Sequence, residues 1–156
     1  HSLSQQLNSI GGFNKFFVQL RNRYDDKKPK HESAAQLLFL GIADSYCKAN
    51  NIDLSPETNK GRGAIDFKLS RGCNQKVLVE VKLSSNNQLE HGFDVQLPIY
   101  MAQEETHRAI YLIIDNGNHK KIENFIKKYN KLDIEIKNMN KYIIVDGTLK
   151  PSASVA

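Results

Sequence analysis

Two neighbouring segments of this sequence alternate apolar and polar residues, and they limit the folds that the chain can adopt. Residues 63–68 read Gly-Ala-Ile-Asp-Phe-Lys, and residues 77–82 read Val-Leu-Val-Glu-Val-Lys. Alternation with a period of two is typical of β-strands that have one face buried. The intervening residues 70–75 are rich in turn-forming types. The pattern therefore predicts an antiparallel hairpin whose turn is centred on Cys73.

The predicted hairpin brings two acidic side chains together. Side chains two positions apart share one face of a strand, so Glu80 and Lys82 point the same way. The same hairpin places Asp66 directly opposite Glu80, where cross-strand pairs lie close together. Two carboxylates at that distance resist joint ionisation, and a divalent cation such as Mg²⁺ relieves the repulsion. The alternative is a solvated sheet face that carries a cross-strand ion pair.

Helical periodicity recurs in four other places. We expect a short helix over residues 13–20, a long and mostly buried helix over about 31–50, and a surface helix over 122–129. A fourth helix ends near Glu105 and has Asp94 as a candidate cap. The apolar stripe predicted for the long helix consists of Ala34, Ala35, Leu38, Ile42 and Tyr46, widened by Leu37 and Phe39.

Further strands are predicted in the second half of the chain. Residues 109–114 form a continuous apolar run, which is typical of a fully buried strand. Residues 132–136 alternate like an edge strand, residues 142–145 form another strand, and residues 51–63 read as irregular. This order of helices and strands favours an α/β or α+β sheet layered with helices.

Length and charge set broad limits. The 156 residues are enough for one domain with a core, and 22 Lys+Arg against 17 Asp+Glu give a net charge of +5. This mild excess permits binding to nucleic acid without demonstrating it. No apolar run approaches the length of a membrane span, and no secretory signal is visible. We expect a cytoplasmic protein that binds no membrane, with Cys47 and Cys73 as reduced thiols.

The expected organisation is a helix and connector over residues 1–30, a main domain over 31–150 and a tail over 151–156. The chain does not begin with methionine, which is compatible with a fragment of a longer protein.

Four local patterns resemble motifs of the PD-(D/E)xK nuclease superfamily, in the expected order. Residues 63–66 resemble the Gly-x-x-Asp motif, and residues 80–82 match Glu-x-Lys. Residues 96–100 resemble the Gln-x-x-x-Tyr motif of the RecB-like branch. Glu32 lies early in the helix before the hairpin, where many members carry an acidic residue.

The resemblance covers roughly residues 31–115, and Ile65 stands where the literal motif has proline. It implies a restriction-endonuclease-like α/β fold, with a central mixed β-sheet of about four to five strands flanked by α-helices. It also implies phosphodiester hydrolysis with Mg²⁺, for which Mn²⁺ substitutes.

Carried over to this sequence, the resemblance gives roles to five residues. Asp66 and Glu80 would ligate the metal, with the backbone carbonyl of Val81 as a further ligand. Lys82 would orient or activate the attacking water, or stabilise charge on the phosphate. Glu32 would hold the metal through a water or take a second ion. For Glu32 the alternative is an acid that complements the helix dipole.

Four more residues complete the implied site. Gln96 would brace the catalytic groups, Tyr100 would contact the nucleic-acid backbone, and Lys68 and Arg62 would line the nucleic-acid cleft. Gln96 and Tyr100 are four residues apart and share a helix face, so they could equally be packing on the sheet.

The sequence therefore predicts a metal-dependent nuclease, with DNA favoured over RNA as the substrate. An RNA-cleaving nuclease stays open, as does a non-catalytic nucleic-acid-binding or assembly module that retains the fold. A phosphohydrolase of small substrates is the third alternative. The small size is compatible with a homodimer, or with a fused or partner domain that supplies specificity.

Overall fold

The computed structural model describes residues 32–56 and 65–148 of the chain. The N-terminal helix and connector expected over residues 1–30, the Arg62 side chain and the tail over 151–156 lie outside the described residues. None of the helices in the described ranges is long and apolar enough to cross a membrane.

Helices and strands follow one another along the described chain, as the sequence pattern indicated. In order they are α1 (Glu32–Ala49), β1 (Asp53–Pro56), β2 (Phe67–Arg71), β3 (Gln75–Leu83), α2 (Leu89–His91), a π-helical segment (Gly92–Gln96), α3 (Leu97–Gln103), β4 (Ala109–Asp115), α4 (His119–Asn130), α5 (Ile134–Met139) and β5 (Asn140–Asp146).

The strands form one five-stranded mixed sheet in the order β1-β2-β3-β4-β5. Strands β1, β2 and β3 pair antiparallel, whereas β3, β4 and β5 pair parallel. In the hairpin Arg71 faces Gln75, so the turn is centred on Cys73, as predicted. Gly72 in this turn has a φ of 62°, a conformation that favours glycine. The prediction of an α/β fold with a mixed sheet of four to five strands flanked by helices is confirmed.

Helix α1 covers one face of the sheet. Its buried residues are spaced four apart: Ala35, Phe39, Ala43 and Cys47. The predicted stripe is confirmed only in part, for Ala35 and Phe39, because Ala34, Leu38, Ile42 and Tyr46 are half-buried and Leu37 is 71% exposed. The alanines allow the helix to approach the strands closely, and the Phe39 ring packs on Phe67 with 4.7 Å between ring centroids.

Helices α2 to α4 and the π-helical segment cover the other face around a cluster of aromatic rings. Phe125 lies at its centre and is 1% exposed. The rings that contact it are Phe93, Tyr111, Tyr129 and Tyr142. Aromatic side chains bury large areas, so this cluster anchors α4 and β5 to the sheet.

Three local predictions were wrong. The predicted edge strand over 132–136 belongs mostly to helix α5, because β5 occupies the position beside β4. The region called irregular contains β1, which pairs with β2. Asp94 does not cap a helix, since it lies inside the π-helical segment and its carboxylate contacts Lys128. Cys47 and Cys73 are free thiols, as predicted.

Candidate functional site

The hairpin register brings Asp66 to Glu80. Phe67 pairs with Val79, so one further step of the same register places Asp66 across from Glu80, as the sequence predicted. Asp66 accepts two hydrogen bonds of 2.7 Å, one at Oδ2 from the Val81 backbone N–H and one at Oδ1 from Gln36 Nε2. Strand β3 and helix α1 therefore fix this carboxylate from two sides.

Glu80 and Lys82 form a buried ion pair on the same face of β3. The Lys82 Nζ atom lies 2.6 Å from Glu80 Oε1. Lys82 is 8% exposed, and Glu80 is 2% exposed. Glu80 Oε2 is also buried and finds no hydrogen-bond partner within the described residues. Leaving a buried charged oxygen without a partner is costly, so this atom marks the place where a further positive group would fit.

Glu32 reaches the same pair from the start of α1. Its Oε1 atom lies 3.4 Å from Lys82 Nζ. Its Oε2 atom accepts hydrogen bonds from the Leu83 N–H at 3.2 Å and from Asn86 Nδ2 at 2.7 Å. Glu32 also lies in the first turn of the helix, where an acid complements the dipole. Both roles expected for Glu32 are compatible with this position.

Gly92 is the point at which the π-helical segment meets the site. A Cβ atom at Gly92 would lie 2.5 Å from Tyr111 Oη, 3.3 Å from Lys82 Cε and 3.4 Å from Gln96 Oε1. The side chains of Gln96 and Lys82 therefore both lie beside Gly92, and the bracing role of Gln96 stays a prediction. Tyr111 pairs with Glu80 in the parallel register and donates from its hydroxyl to the Leu89 carbonyl at 2.6 Å. The lack of a side chain at Gly92 is what allows this close approach.

Replacing Gly92 by alanine is expected to displace the Tyr111 hydroxyl or the Lys82 stem, because the new Cβ atom would stand 2.5 Å from Tyr111 Oη. We expect a loss of roughly 1–3 kcal/mol in the free energy of unfolding, as for other overpacked cores. Urea denaturation measures the change. Gly41→Ala is the matched control, since nothing lies within 4 Å of a Cβ at that exposed helical position. Equal stability of the two variants would contradict this packing.

Burial and mutual repulsion set the protonation of the acids. Burial, followed by the charge of Glu80, raises the pKa of Asp66 to about 7. Burial also raises the pKa of Glu80, although Lys82 opposes the shift. Burial acts to lower the pKa of Lys82, but the charge and hydrogen bond of Glu80 outweigh it, so that the pKa is raised. Lys82 is therefore a cation at neutral pH.

The raised pKa of Asp66 predicts a pH dependence of stability. Between about pH 5 and pH 7, Asp66 keeps its proton in the folded state, whereas an Asp in the unfolded chain has released it. The contribution of Asp66 to the free energy of unfolding therefore falls as the pH rises to its folded pKa of about 7. In EDTA, the unfolding free energy of the wild type minus that of Asp66→Asn is expected to fall between about pH 5 and pH 8. A cation that bound the ionised carboxylate would reduce that fall. A difference that rises with pH, measured by urea denaturation, would contradict the assignment.

Of the residues expected to bind nucleic acid, Lys68 is paired with an acid and Tyr100 is buried. The Lys68 Nζ atom lies 3.1 Å from Glu104 Oε2, so its charge is balanced within the domain. Tyr100 is 7% exposed, and burial raises its pKa. The structure thus brings Asp66, Glu80, Lys82, Glu32 and Gln96 together, while Lys68 forms a separate ion pair.

The donor set at this site suits a hard cation. Mg²⁺ is often bound through one or two carboxylates and keeps several waters, which fits the free lone pairs on Asp66 and the unpartnered Oε2 of Glu80. In the two described ranges, no group of three or more histidine, cysteine, aspartate or glutamate side chains is placed to hold a metal ion. Asp66 and Glu80 are the two carboxylates at this site that could hold such a cation.

Three neighbours of the site were not singled out from the sequence: Gln36, Asn86 and Tyr111. Gln36 had a usable signal, because it lies four residues after Glu32 and so shares its helix face. Tyr111 lies inside a continuous apolar run and Asn86 in a polar loop, so neither pattern distinguished them.

Comparison with known proteins identifies the family to which the chain belongs. No curated protein and no solved structure gave a significant match to this chain. A family model described as a domain of unknown function, DUF8371, matches residues 14–118. This range contains the hairpin with Asp66, Glu80 and Lys82, and it contains Gln96. The match covers more than half of the sequence, and the chain therefore belongs to the DUF8371 family.

Proposed function

We propose that this domain is a metal-dependent nuclease that hydrolyses phosphodiester bonds, with DNA as the favoured substrate. The observation that carries the proposal is the cluster of the half-buried Asp66 with the buried Glu80 and Lys82, in which one carboxylate oxygen of Glu80 has no partner among the described residues. Withdrawing these charged groups from water costs stability, and such clusters are typical of functional sites.

Asp66 and Glu80 are the proposed ligands of Mg²⁺ or Mn²⁺, together with the backbone carbonyl of Val81. When bound, the cation supplies charge stabilisation to a phosphate and lowers the pKa of a water. Glu80 lies on β3 and Asp66 lies one residue before β2, so the hairpin brings the two carboxylates to the same place. Glu32 is proposed to hold the cation indirectly, since it lies beyond Lys82.

Lys82 is proposed to stabilise negative charge on the phosphate and to orient the attacking water by donating hydrogen bonds. Its raised pKa keeps it protonated at neutral pH, which suits a donor better than a base. Glu80 and Glu32 hold its Nζ atom at 2.6 and 3.4 Å, so the ammonium group is oriented before a substrate arrives.

The mixed sheet with helices on both faces is compatible with the restriction-endonuclease-like fold, which we propose as the finer description. In support, the hairpin strands β2 and β3 precede the helical segment that contains Gln96 and Tyr100. Nucleic acid is the proposed partner. Lys68 is paired with Glu104, so its charge is partly balanced within the domain, which supports a homodimer or a fused or partner domain that extends the binding surface.

A non-catalytic nucleic-acid-binding or assembly module is the second candidate. It is favoured by the Lys82 ammonium group, which already pairs with Glu80 Oε1, an oxygen that Glu80 would otherwise offer to a cation. Such a module would bind nucleic acid in a salt-sensitive manner without binding Mn²⁺.

One assay separates these functions. The purified protein is incubated with supercoiled, linear and single-stranded DNA, and with RNA, in Mg²⁺ or Mn²⁺, alongside an EDTA control and the Glu80→Gln variant. Cleavage that requires metal and disappears in the variant supports the nuclease, and the cleaved substrate distinguishes DNA from RNA. Metal-independent cleavage, or equal cleavage by the variant, would refute the proposed mechanism.

A further inference from the structure

Gln36 on α1 contacts Asp66 through its side-chain amide. Its Nε2 atom donates to Asp66 Oδ1 at 2.7 Å across 30 residues of sequence. We propose that Gln36 is a positioning residue that fixes the orientation of the Asp66 carboxylate for cation binding. The inference rests on the proposed function for its consequence, although the hydrogen bond itself can be tested separately.

The position of Asp66 in the chain explains why it needs this support. Asp66 lies one residue before β2 begins, so the strand ladder does not hold it directly. The Val81 N–H fixes only Oδ2, at 2.7 Å. A second donor at Oδ1 sets the rotation of the carboxylate plane, and each oxygen keeps a further lone pair with which to ligate a cation.

The chemistry of a glutamine amide suits this place. Lys82 is the only basic side chain in ion-pair contact with Glu80 and Glu32 among the described residues. A lysine or arginine at position 36 would pair with Asp66 and compete with a cation for it, while a glutamate would add another negative charge. A neutral donor orients the carboxylate and leaves its charge available.

Helix α1 contacts both Lys82 and Asp66. Glu32 and Gln36 are four residues apart and share one helix face. Glu32 contacts Lys82 and the Leu83 N–H on β3, whereas Gln36 contacts Asp66 before β2. The seating of α1 on the sheet through Ala35 and Phe39 therefore determines where Gln36 holds the carboxylate.

The test compares Gln36→Met with the wild type and with Gln103→Met, which removes the same amide from an exposed position at the end of α3. In metal-free protein, the NMR resonance of the Val81 amide reports on its hydrogen bond to Asp66. We expect this resonance to move in Gln36→Met and to stay in place in Gln103→Met. Gln36→Ala gives a second variant if the methionine disturbs packing.

The same proteins are then titrated with Mn²⁺ by calorimetry. We expect the dissociation constant to rise about 10-fold or more in Gln36→Met, as for other residues that orient metal ligands, while KM for DNA stays within about two-fold. A merely structural role would lower the melting temperature and leave the Mn²⁺ affinity unchanged.

Two results would overturn the proposal: a Val81 amide that does not move, or a Mn²⁺ affinity that is unchanged in both Gln36 variants. Failure of the nuclease proposal looks different, because the wild type itself would then neither bind Mn²⁺ nor cleave. In that case the Val81 resonance still decides whether Gln36 orients Asp66.

Discussion

Replacing Lys82 by methionine is expected to lower the free energy of unfolding of the metal-free domain by about 3–5 kcal/mol. The reason is that Lys82 is the partner of a buried carboxylate, with 2.6 Å between its Nζ atom and Glu80 Oε1. Removing one member of a buried ion pair leaves the other charge uncompensated, which costs about that much. Methionine keeps most of the side-chain volume, so the loss reports on charge more than on packing.

The matched variant is Glu80→Gln, which should cost much less because it also removes the repulsion between Glu80 and Asp66. In the double variant Lys82→Met/Glu80→Gln, the loss of unfolding free energy caused by Lys82→Met should be smaller, because the carboxylate that it would leave without a partner is gone. Urea denaturation in EDTA gives all four free energies of the cycle. Additive effects, or a loss of less than about 1 kcal/mol in Lys82→Met, would contradict the account of a tightly coupled buried pair.

Asp66→Asn and Glu80→Gln are each expected to reduce metal-dependent cleavage by at least about 1,000-fold. Stabilisation of the phosphate by a bound cation is worth several kcal/mol, and each 1.36 kcal/mol corresponds to a factor of about ten in rate. Both variants keep the side-chain shape, so both should remain folded in EDTA, and Glu80→Gln should lose less unfolding free energy than Lys82→Met because Glu32 still lies 3.4 Å from the Lys82 Nζ atom.

Initial rates on the cleaved substrate measure the effect at saturating Mn²⁺. Glu123→Gln provides the control, because it removes an acid from an exposed position of α4. Cleavage within tenfold of the wild-type rate by either site variant would exclude that carboxylate as an essential ligand.

The hairpin could be predicted from the sequence because its determinants are local. Alternating residues fix which side chains share a face, and the turn fixes the register, so the approach of Asp66 to Glu80 follows from counting residues. The buried strand β4 was equally clear, since a continuous apolar run followed by Asp115 and Asn116 has few other interpretations.

Features that depend on tertiary contacts were not predictable in this way. The hydrogen bond from Gln36 to Asp66 joins residues 30 positions apart. The spacing of Gln36 from Glu32 places both on one face of α1, but it does not indicate that Asp66 is the residue Gln36 contacts. The buried stripe of α1 contains Ala35, Phe39, Ala43 and Cys47, while the neighbouring Ala34, Leu38 and Ile42 stay half-buried, so residue size and polarity do not distinguish the two faces. Sequence periodicity alone does not distinguish these faces.

The helix α5 illustrates a second limit. Residues 132–136 place apolar side chains at alternate positions, a spacing that a short strand and a single helical turn both tolerate. The structure adopts the helix because residues 140–146 pair with β4, and Ile134 then remains 69% exposed. Of the two segments that could form a strand beside β4, residues 140–146 do so, and residues 134–136 are helical.

The most direct test of the central claim is a calorimetric titration of the purified domain with Mn²⁺ at about pH 8, where Asp66 is ionised, compared with Glu80→Gln. We predict saturable binding to the wild type that is lost in the variant. Saturable binding that is unchanged in Glu80→Gln, or no binding to a folded wild type, would contradict the assignment of Asp66 and Glu80 as a cation site.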